Sequence, residues 1–210
     1  AHSQGALASM VFLSQQPHPL PFDRVVLLAG PTASGKSTLW RRLVARPEVG
    51  FSVSATTRAP REGEVDGRDY HFLSEAEFLA RVESGAFLEH AEVHGKRYGT
   101  LRSEVEAALA AGQDLVLEID IQGAAQLRDC GLPMVSLFVL PPSLAVLEQR
   151  LRTRGTETEE QMARRLTIVE QEIAASGDYD HQVVNDDFAR MLSEVEGILG
   201  YAAQDAEAQG

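Results

Sequence analysis

An apolar strand that runs into Gly30-Pro31-Thr32-Ala33-Ser34-Gly35-Lys36-Ser37 and out into an amphipathic helix is the feature that most restricts this chain. Arg24–Ala29 is apolar after its first residue, and Lys36–Arg46 carries Leu39, Leu43 and Val44 at helical spacing before Pro47 stops it. The segment between them fits G-x-x-x-x-G-K-S. Its glycines permit a tight turn that points successive backbone N–H groups inward at phosphate oxygens. The helix opening at Gly35–Lys36 adds the positive end of its dipole. Lys36 suits the β and γ phosphates of a nucleoside triphosphate, and the Ser37 hydroxyl suits Mg2+. Lysine is scarce: it occurs only at Lys36 and Lys96, and arginine supplies the other 17 of the 19 cations. Gly30 through Thr38 is therefore the candidate ATP-binding loop, comprising Gly30, Pro31, Thr32, Ala33, Ser34, Gly35, Lys36, Ser37 and Thr38.

The remaining pattern says what the loop is mounted on. Strands are expected at Phe51–Ser54, Tyr70–Leu73, Phe87–Val93, Leu115–Asp120 and Val135–Leu140, with a last one ending at Val183-Val184. Helices are expected at Ser74–Ser84, opened by a Ser74/Glu77 capping box, and at Leu101–Ala111, Ser143–Arg154, Thr158–Ser176 and Phe188–Ala203. Mostly apolar strands alternating with helices predict an α/β fold, a parallel sheet covered by helices on both faces. From about 52 to 100 the strands alternate in polarity, which reads as an inserted antiparallel lobe. Residues 55–69 read as a loop rich in Arg, Gly and Pro. At 210 residues the chain has room for one domain with such an insertion.

Composition removes other classes. The formal charge of −12 excludes a bulk nucleic-acid or anionic-membrane binder, so neither partner is expected. Apolar runs such as Val25–Ala29 are too short to span a bilayer. One cysteine, Cys130, excludes an intrachain disulfide and a multi-cysteine zinc site, and fits the reducing cytoplasm. His90 and His94 would converge on a helix, but in a strand they stand about 13 Å apart, which argues against a shared metal.

A second substrate has its own signal. Ser54-Ala-Thr-Thr57-Arg58-Ala-Pro60-Arg61-Glu-Gly63-Glu64-Val-Asp-Gly67-Arg-Asp-Tyr70-His-Phe72 sets two arginines three apart, with a tyrosine downstream. Guanidinium forks and a phenol suit a phosphate monoester. In Phe87–Val93, a period of two places Glu89 on one face with Phe87, Ala91 and Val93. A carboxylate among apolar neighbours is either an edge position or the reader of a donor pair such as guanine N1–H and its N2 amine. Glu118 and Asp120 end a buried strand at the carboxyl edge of the sheet, where ligands bind. Five arginines fall within 150–165, interrupted by Gly155-Thr156, as in a hinged lid.

These stretches resemble guanylate kinases. The resemblance runs from Arg24 to about Phe188 and rests on Gly30–Leu39, Ser54–Phe72, Glu89, Tyr98-Gly99-Thr100, Glu118–Gly123, Arg150–Glu160 and Val184–Asp187, in that order. It implies transfer of the γ-phosphoryl group of ATP to GMP, giving ADP and GDP, in purine nucleotide recycling, with dGMP as an open second acceptor. It implies that Arg58, Arg61, Tyr70 and Tyr98 hold the GMP phosphate and that Ser54, Glu89, Thr100 and Asp120 read guanine. Lys36, Arg150, Arg154 and Arg165 are the implied catalytic cations. Ser37 is the implied Mg2+ ligand, helped by Glu118 and Asp120 through water.

The implied layout is a core of 23–51, 101–149 and 166–204, a GMP lobe of 52–100 and a lid of 150–165. A flexible leader of 1–22 and a frayed tail of 205–210 flank it, and a monomer or a homo-oligomer is compatible with it. One departure stands out: Thr32 and Ala33 occupy positions where that family has a small serine and a glycine. Two other readings remain at this point, a related sugar-phosphate kinase and a catalytically inactive guanylate-kinase-like binding module. The first lacks guanine readers, and the second lacks the loop lysine and lid arginines.

Overall fold

The computed structural model describes residues 23–93, 95–128, 130–153 and 159–201. The leader 1–22, the tail 205–210, His94 and Arg154 lie outside the described residues. In chain order the elements are β1 (Val25–Ala29), α1 (Lys36–Leu43), β2 (Val49–Phe51), β3 (Ala55–Thr56), β4 (His71–Phe72), α2 (Glu75–Glu83), β5 (Phe87–Val93), β6 (Lys96–Leu101), α3 (Arg102–Ala110) and β7 (Asp114–Glu118). Then follow α4 (Ile121–Arg128), β8 (Met134–Leu140), α5 (Leu144–Thr153), α6 (Glu159–Ala174), a 3-10 turn (Ala175–Asp178), β9 (His181–Val184) and α7 (Phe188–Leu199).

The expected α/β class holds. Five strands form a parallel sheet in the order β2-β7-β1-β8-β9, and four form a second, mixed sheet in the order β4-β3-β6-β5. β1 is the central strand of the first sheet, and all five of its residues are fully buried, as its unbroken apolar run requires.

The chain divides into two compact units: residues 1–25, 50–115 and 122–134 in one, and 26–49, 116–121 and 135–210 in the other. Inside the first unit, Ala55, Phe78, Phe87 and Leu101 form a core, with the Phe78 and Phe87 rings stacked at 4.5 Å. Inside the second, Leu147 and Leu151 of α5 pack with Met162 and Val169 of α6. The Ser74/Glu77 capping box is present: Glu77 N–H donates to Ser74 Oγ at 3.2 Å, and Ser74 N–H donates to Glu77 Oε2 at 2.8 Å.

Several expectations need correction. The strand expected at Phe51–Ser54 lies instead at Val49–Phe51. Beyond Phe51 the chain is drawn off by Glu104, whose Oε2 accepts from Val53 N–H at 3.0 Å and from Ser52 Oγ at 3.5 Å. The stretch expected to be loop holds β3, and β6 was hidden because Gly99 interrupts its side-chain alternation. α4 was not expected. Its buried side is Gly123, Ala124 and Leu127, too small and too glycine-containing to stand out as an amphipathic stripe.

A buried acid ties the start of the first unit together. Asp114 is fully buried, and its carboxylate accepts from Asp23 N–H at 3.0 Å, Arg24 N–H at 3.2 Å and Arg24 Nε at 3.2 Å. Asp114→Ala strands those donors and an arginine, and should cost about 3 kcal/mol. Urea denaturation of the variant should show a lower midpoint at unchanged slope.

Candidate active site

In the second unit, β1 ends at Gly30 and α1 begins after Gly35, so the loop between them is short and must turn sharply. Gly30 has φ 137°, and a Cβ there would lie 2.4 Å from the Val139 carbonyl oxygen. Gly35 has φ 105°, and a Cβ there would lie 2.0 Å from Asn185 Nδ2. Both positions therefore exclude any side chain twice over, by backbone conformation and by space. Ala33 adopts φ 62° in spite of its methyl group. The left-handed conformation costs a non-glycine residue about 1 kcal/mol, and the methyl offsets part of that by packing against the α5/α6 cluster. The departure at Ala33 thus changes the energetics of the loop and leaves the left-handed turn in place.

The loop carbonyls are bound on the side away from its N–H groups. Asn185 Nδ2 donates to Ser34 O at 2.7 Å, and Arg150 Nη1 reaches Ala33 O at 3.4 Å. Arg150 Nη2 also donates to the Asn185 carbonyl at 3.1 Å, so α5, β9 and the loop are tied into one network. Lys36 Nζ donates to Gly30 O at 2.6 Å and to Pro31 O at 2.9 Å, folding back over the loop. Ser34 is fully buried and its hydroxyl has no hydrogen-bond partner among the described residues; its contribution is backbone. Ser37 and Thr38 are exposed in the first turn of α1.

Glu172 of α6 belongs to this cluster. Burial raises its carboxyl above the ordinary range; Lys36 opposes that rise, Asp120 adds to it, and Arg165 opposes it. Arg165 and Glu172 stand two helical turns apart, on one face of α6. Lys36, Asp120 and Arg165 therefore all act on Glu172 within this unit. Sequence reasoning missed Glu172, because an acid in a charged helix has no distinguishing mark until the helix is packed. Asn185 lies within the Val184–Asp187 motif, but nothing in the linear sequence points to its contact with the loop.

In the first unit, the mixed sheet sorts the acceptor residues by register. Phe87 pairs with Leu101, but Glu89 pairs with Thr100, so one extra residue on β5 makes a bulge. The expected common face for Phe87 and Glu89 is therefore wrong. The bulge puts Phe87 with Leu101 on the face covered by Phe78, and turns Glu89 to the opposite face with Thr100, Ala91 and Tyr98. Gly99 lies on the Phe87 side: a Cβ there would meet the Phe87 ring at 2.9 Å. Glu89 is 5% exposed, and Thr100 Oγ1 donates to its Oε1 at 2.6 Å.

Thr56 pairs with both Tyr98 and Phe72, placing these three on the Glu89 face. The Arg58 guanidinium lies 5.2 Å from the Tyr70 ring centre and 5.8 Å from that of Phe72, and Tyr70 meets Tyr98 edge-on at 6.1 Å. Of the expected acceptor residues, Arg58, Tyr70, Tyr98, Glu89 and Thr100 thus gather on one sheet face. The Arg61 side chain is exposed, and Ser54 contributes its carbonyl to His71 N–H at 2.9 Å. Asp120 belongs to the other unit.

A parallel sheet bearing a strand–phosphate loop–helix unit, with arginine and lysine directed at the loop, defines a P-loop nucleotide-binding fold. The guanylate kinase family profile matches residues 22–202. The chain is similar to guanylate kinases of Symbiobacterium thermophilum (47% identity, 85% of each chain) and Bifidobacterium longum (50%, 84% of this chain and 93% of the relative). It is also similar to the crystal structure of guanylate kinase from Anaplasma phagocytophilum, with TM-score 0.69 and 33% identity over 86% of each chain. The chain belongs to the guanylate kinase family, and its activity is ATP:GMP phosphotransfer. The sugar-phosphate kinase and inactive-module readings are not favoured.

Asn185→Ala removes the side-chain donor to a buried loop carbonyl, a loss of about 1–3 kcal/mol. It should raise the ATP KM more than the GMP KM and lower the unfolding temperature, both measurable on one preparation.

Proposed function

We propose that two residue sets divide the work. Gly30–Thr38 holds the ATP phosphates on its backbone N–H groups, and Lys36, Arg150, Arg154 and Arg165 neutralise the charge on the transferring phosphoryl group. Arg58, Arg61, Tyr70 and Tyr98 hold the GMP phosphate, while Ser54, Glu89, Thr100 and Asp120 read guanine. The observation that carries this reading is Glu89: a buried carboxylate, braced by the Thr100 hydroxyl at 2.6 Å, on the face that also bears Tyr98. Guanine presents N1–H and the N2 amine side by side, a match for one carboxylate. Adenine presents an acceptor at N1, leaving the carboxylate unpaired.

The acceptor oxygen belongs to a phosphate already ionised near neutral pH, so the reaction needs no general base. Catalysis is alignment plus charge neutralisation. Lys36 is bound to the loop carbonyls of Gly30 and Pro31 and is therefore held at the loop before any phosphate arrives. Arg150 is likewise anchored on Ala33 O and Asn185 O.

Mg2+ accompanying ATP fits the donors present, an exposed Ser37 hydroxyl in the first turn of α1 with Glu118 at the end of β7 and Asp120 two residues beyond it. It would supply neutralisation of the triphosphate oxygens. The hinged segment 150–165 serves as the lid and residues 52–100 as the GMP lobe.

Lys36→Ala should lower kcat by about a thousandfold, since it removes a charge used on transfer and no core contact. A folded variant with near-normal turnover would end the catalytic reading. Wild-type kcat/KM should rank GMP above IMP above AMP, with IMP lower by about 1.5–3 kcal/mol for its missing N2 donor. Glu89→Gln should lose GMP activity and narrow the gap to AMP. An unchanged ranking in that variant would remove Glu89 from base recognition.

A further inference from the structure

Arg58 is held on three sides by protein groups. Its Nη1 donates to Glu64 Oε2 at 2.9 Å and its Nη2 to Glu64 Oε1 at 2.9 Å, a bidentate pairing across the end of the guanidinium. Nη1 also donates to Ala59 O at 2.8 Å. The Tyr70 and Phe72 rings flank the plane. Glu64 does more than meet Arg58: its Oε2 accepts from Arg61 N–H at 2.7 Å, while its own N–H donates to Arg61 O at 3.1 Å. One carboxylate therefore closes the turn between the two arginines and grips the first of them. Arg58 and Glu64 are only 14% and 19% exposed, so this pair is shielded on a part of the chain otherwise open to solvent.

A guanidinium has five N–H donors in a fixed plane. Glu64 takes the two inner hydrogens of the Nη fork, and Ala59 O takes the outer hydrogen of Nη1. Neither Glu64 nor Ala59 takes the edge made by Nε and the outer hydrogen of Nη2. The Tyr98 hydroxyl lies close enough to help raise the guanidinium's pKa, after the larger effect of the Glu64 bond. A carboxylate placed to block the clamp would sit across that edge; Glu64 sits on the other one. The Arg58 bond, followed by the Arg61 N–H, also holds the Glu64 carboxyl below the ordinary range, so it stays ionised through the neutral region.

We propose that Glu64 is a positioning residue of the acceptor site: it locks the Arg58 guanidinium and the Arg61 backbone so that the Nε edge of Arg58 faces the GMP phosphate. This rests on the reading of Arg58 and Arg61 as the phosphate clamp. Without Glu64, Arg58 swings on a long, flexible side chain and must be ordered at the moment of binding, a cost that falls on GMP and leaves ATP untouched. The arrangement also leaves the two arginines and Glu64 with a net charge of +1.

The test is steady-state kinetics with GMP and ATP varied separately, on Glu64→Ala, Glu64→Gln and Glu64→Asp, beside Arg58→Ala. Glu64→Ala should raise the GMP KM about tenfold, a loss of the size expected for one charge-assisted bond. The ATP KM should stay within about twofold on the same scale. Glu64→Gln keeps the length and one acceptor and should fall between, and it decides the matter if the alanine variant does not fold. Glu64→Asp keeps the charge and should recover part of the loss. A GMP KM unchanged or lowered in the alanine and glutamine variants, with Arg58→Ala still raising it, overturns the proposal and leaves the clamp standing. Equal rises in both KM values also overturn it, since that is general loosening. If Arg58→Ala leaves the GMP KM unchanged, the clamp itself fails and Glu64 has nothing to position.

Discussion

The phosphate loop works only if its carbonyls are bound elsewhere. A loop that turns its N–H groups toward an anion must turn its C=O groups the other way, into the protein, where an unpaired oxygen is costly. Here four of those oxygens have side-chain donors: Asn185 on Ser34 O, Arg150 on Ala33 O, and Lys36 on Gly30 O and Pro31 O. The donors come from the residue that follows β9, from α5 and from α1, so the loop's geometry depends on how the parallel sheet orders its strands. The two close approaches follow from the same constraint. Gly30 fits against the Val139 carbonyl and Gly35 against Asn185, with no room for a methyl group at either.

The acceptor sheet solves a different problem with one extra residue. Its four strands have an apolar face under Phe78 and a polar face bearing Thr100 and Tyr98. A regular β5 would put Glu89 on the apolar side with Phe87, where a carboxylate has no partner. The bulge between them gives each its own side, and Gly99 opens the space that the Phe87 ring fills. The cost of one unpaired strand residue is offset by a buried carboxylate with a donor already in place.

Charge in this protein is local. The chain carries −12 overall, yet the groups around the loop include Lys36, Arg150 and Arg165, and the acceptor stretch brings Arg58 and Arg61 together. Lys36 and Arg150 are met by loop carbonyls, and Arg58 is met by Glu64. Such pairing lets like charges stand near one another in an acidic chain.

The sequence by itself determined the elements whose signals are local. The loop from Gly30 to Ser37 was legible because a tight anion-binding turn admits few residues. β1 was legible because a strand buried on both faces must be apolar throughout, and α2 because its capping box is a short-range contact. The acceptor arginines and Glu89 were legible as residue types. What only the tertiary structure decided were the pairings between distant segments. The face of Glu89 depends on a bulge that no alternation rule contains. The partner of Arg58 depends on how the 58–64 turn closes, and Glu172 and Asn185 acquire tasks only when α6 and β9 pack beside the loop. The small-residue helix α4 and the glycine-interrupted strand β6 went unread for a related reason. Their stability comes from neighbours on other strands and helices, and a linear pattern records a residue's own preferences and not the surface it will meet.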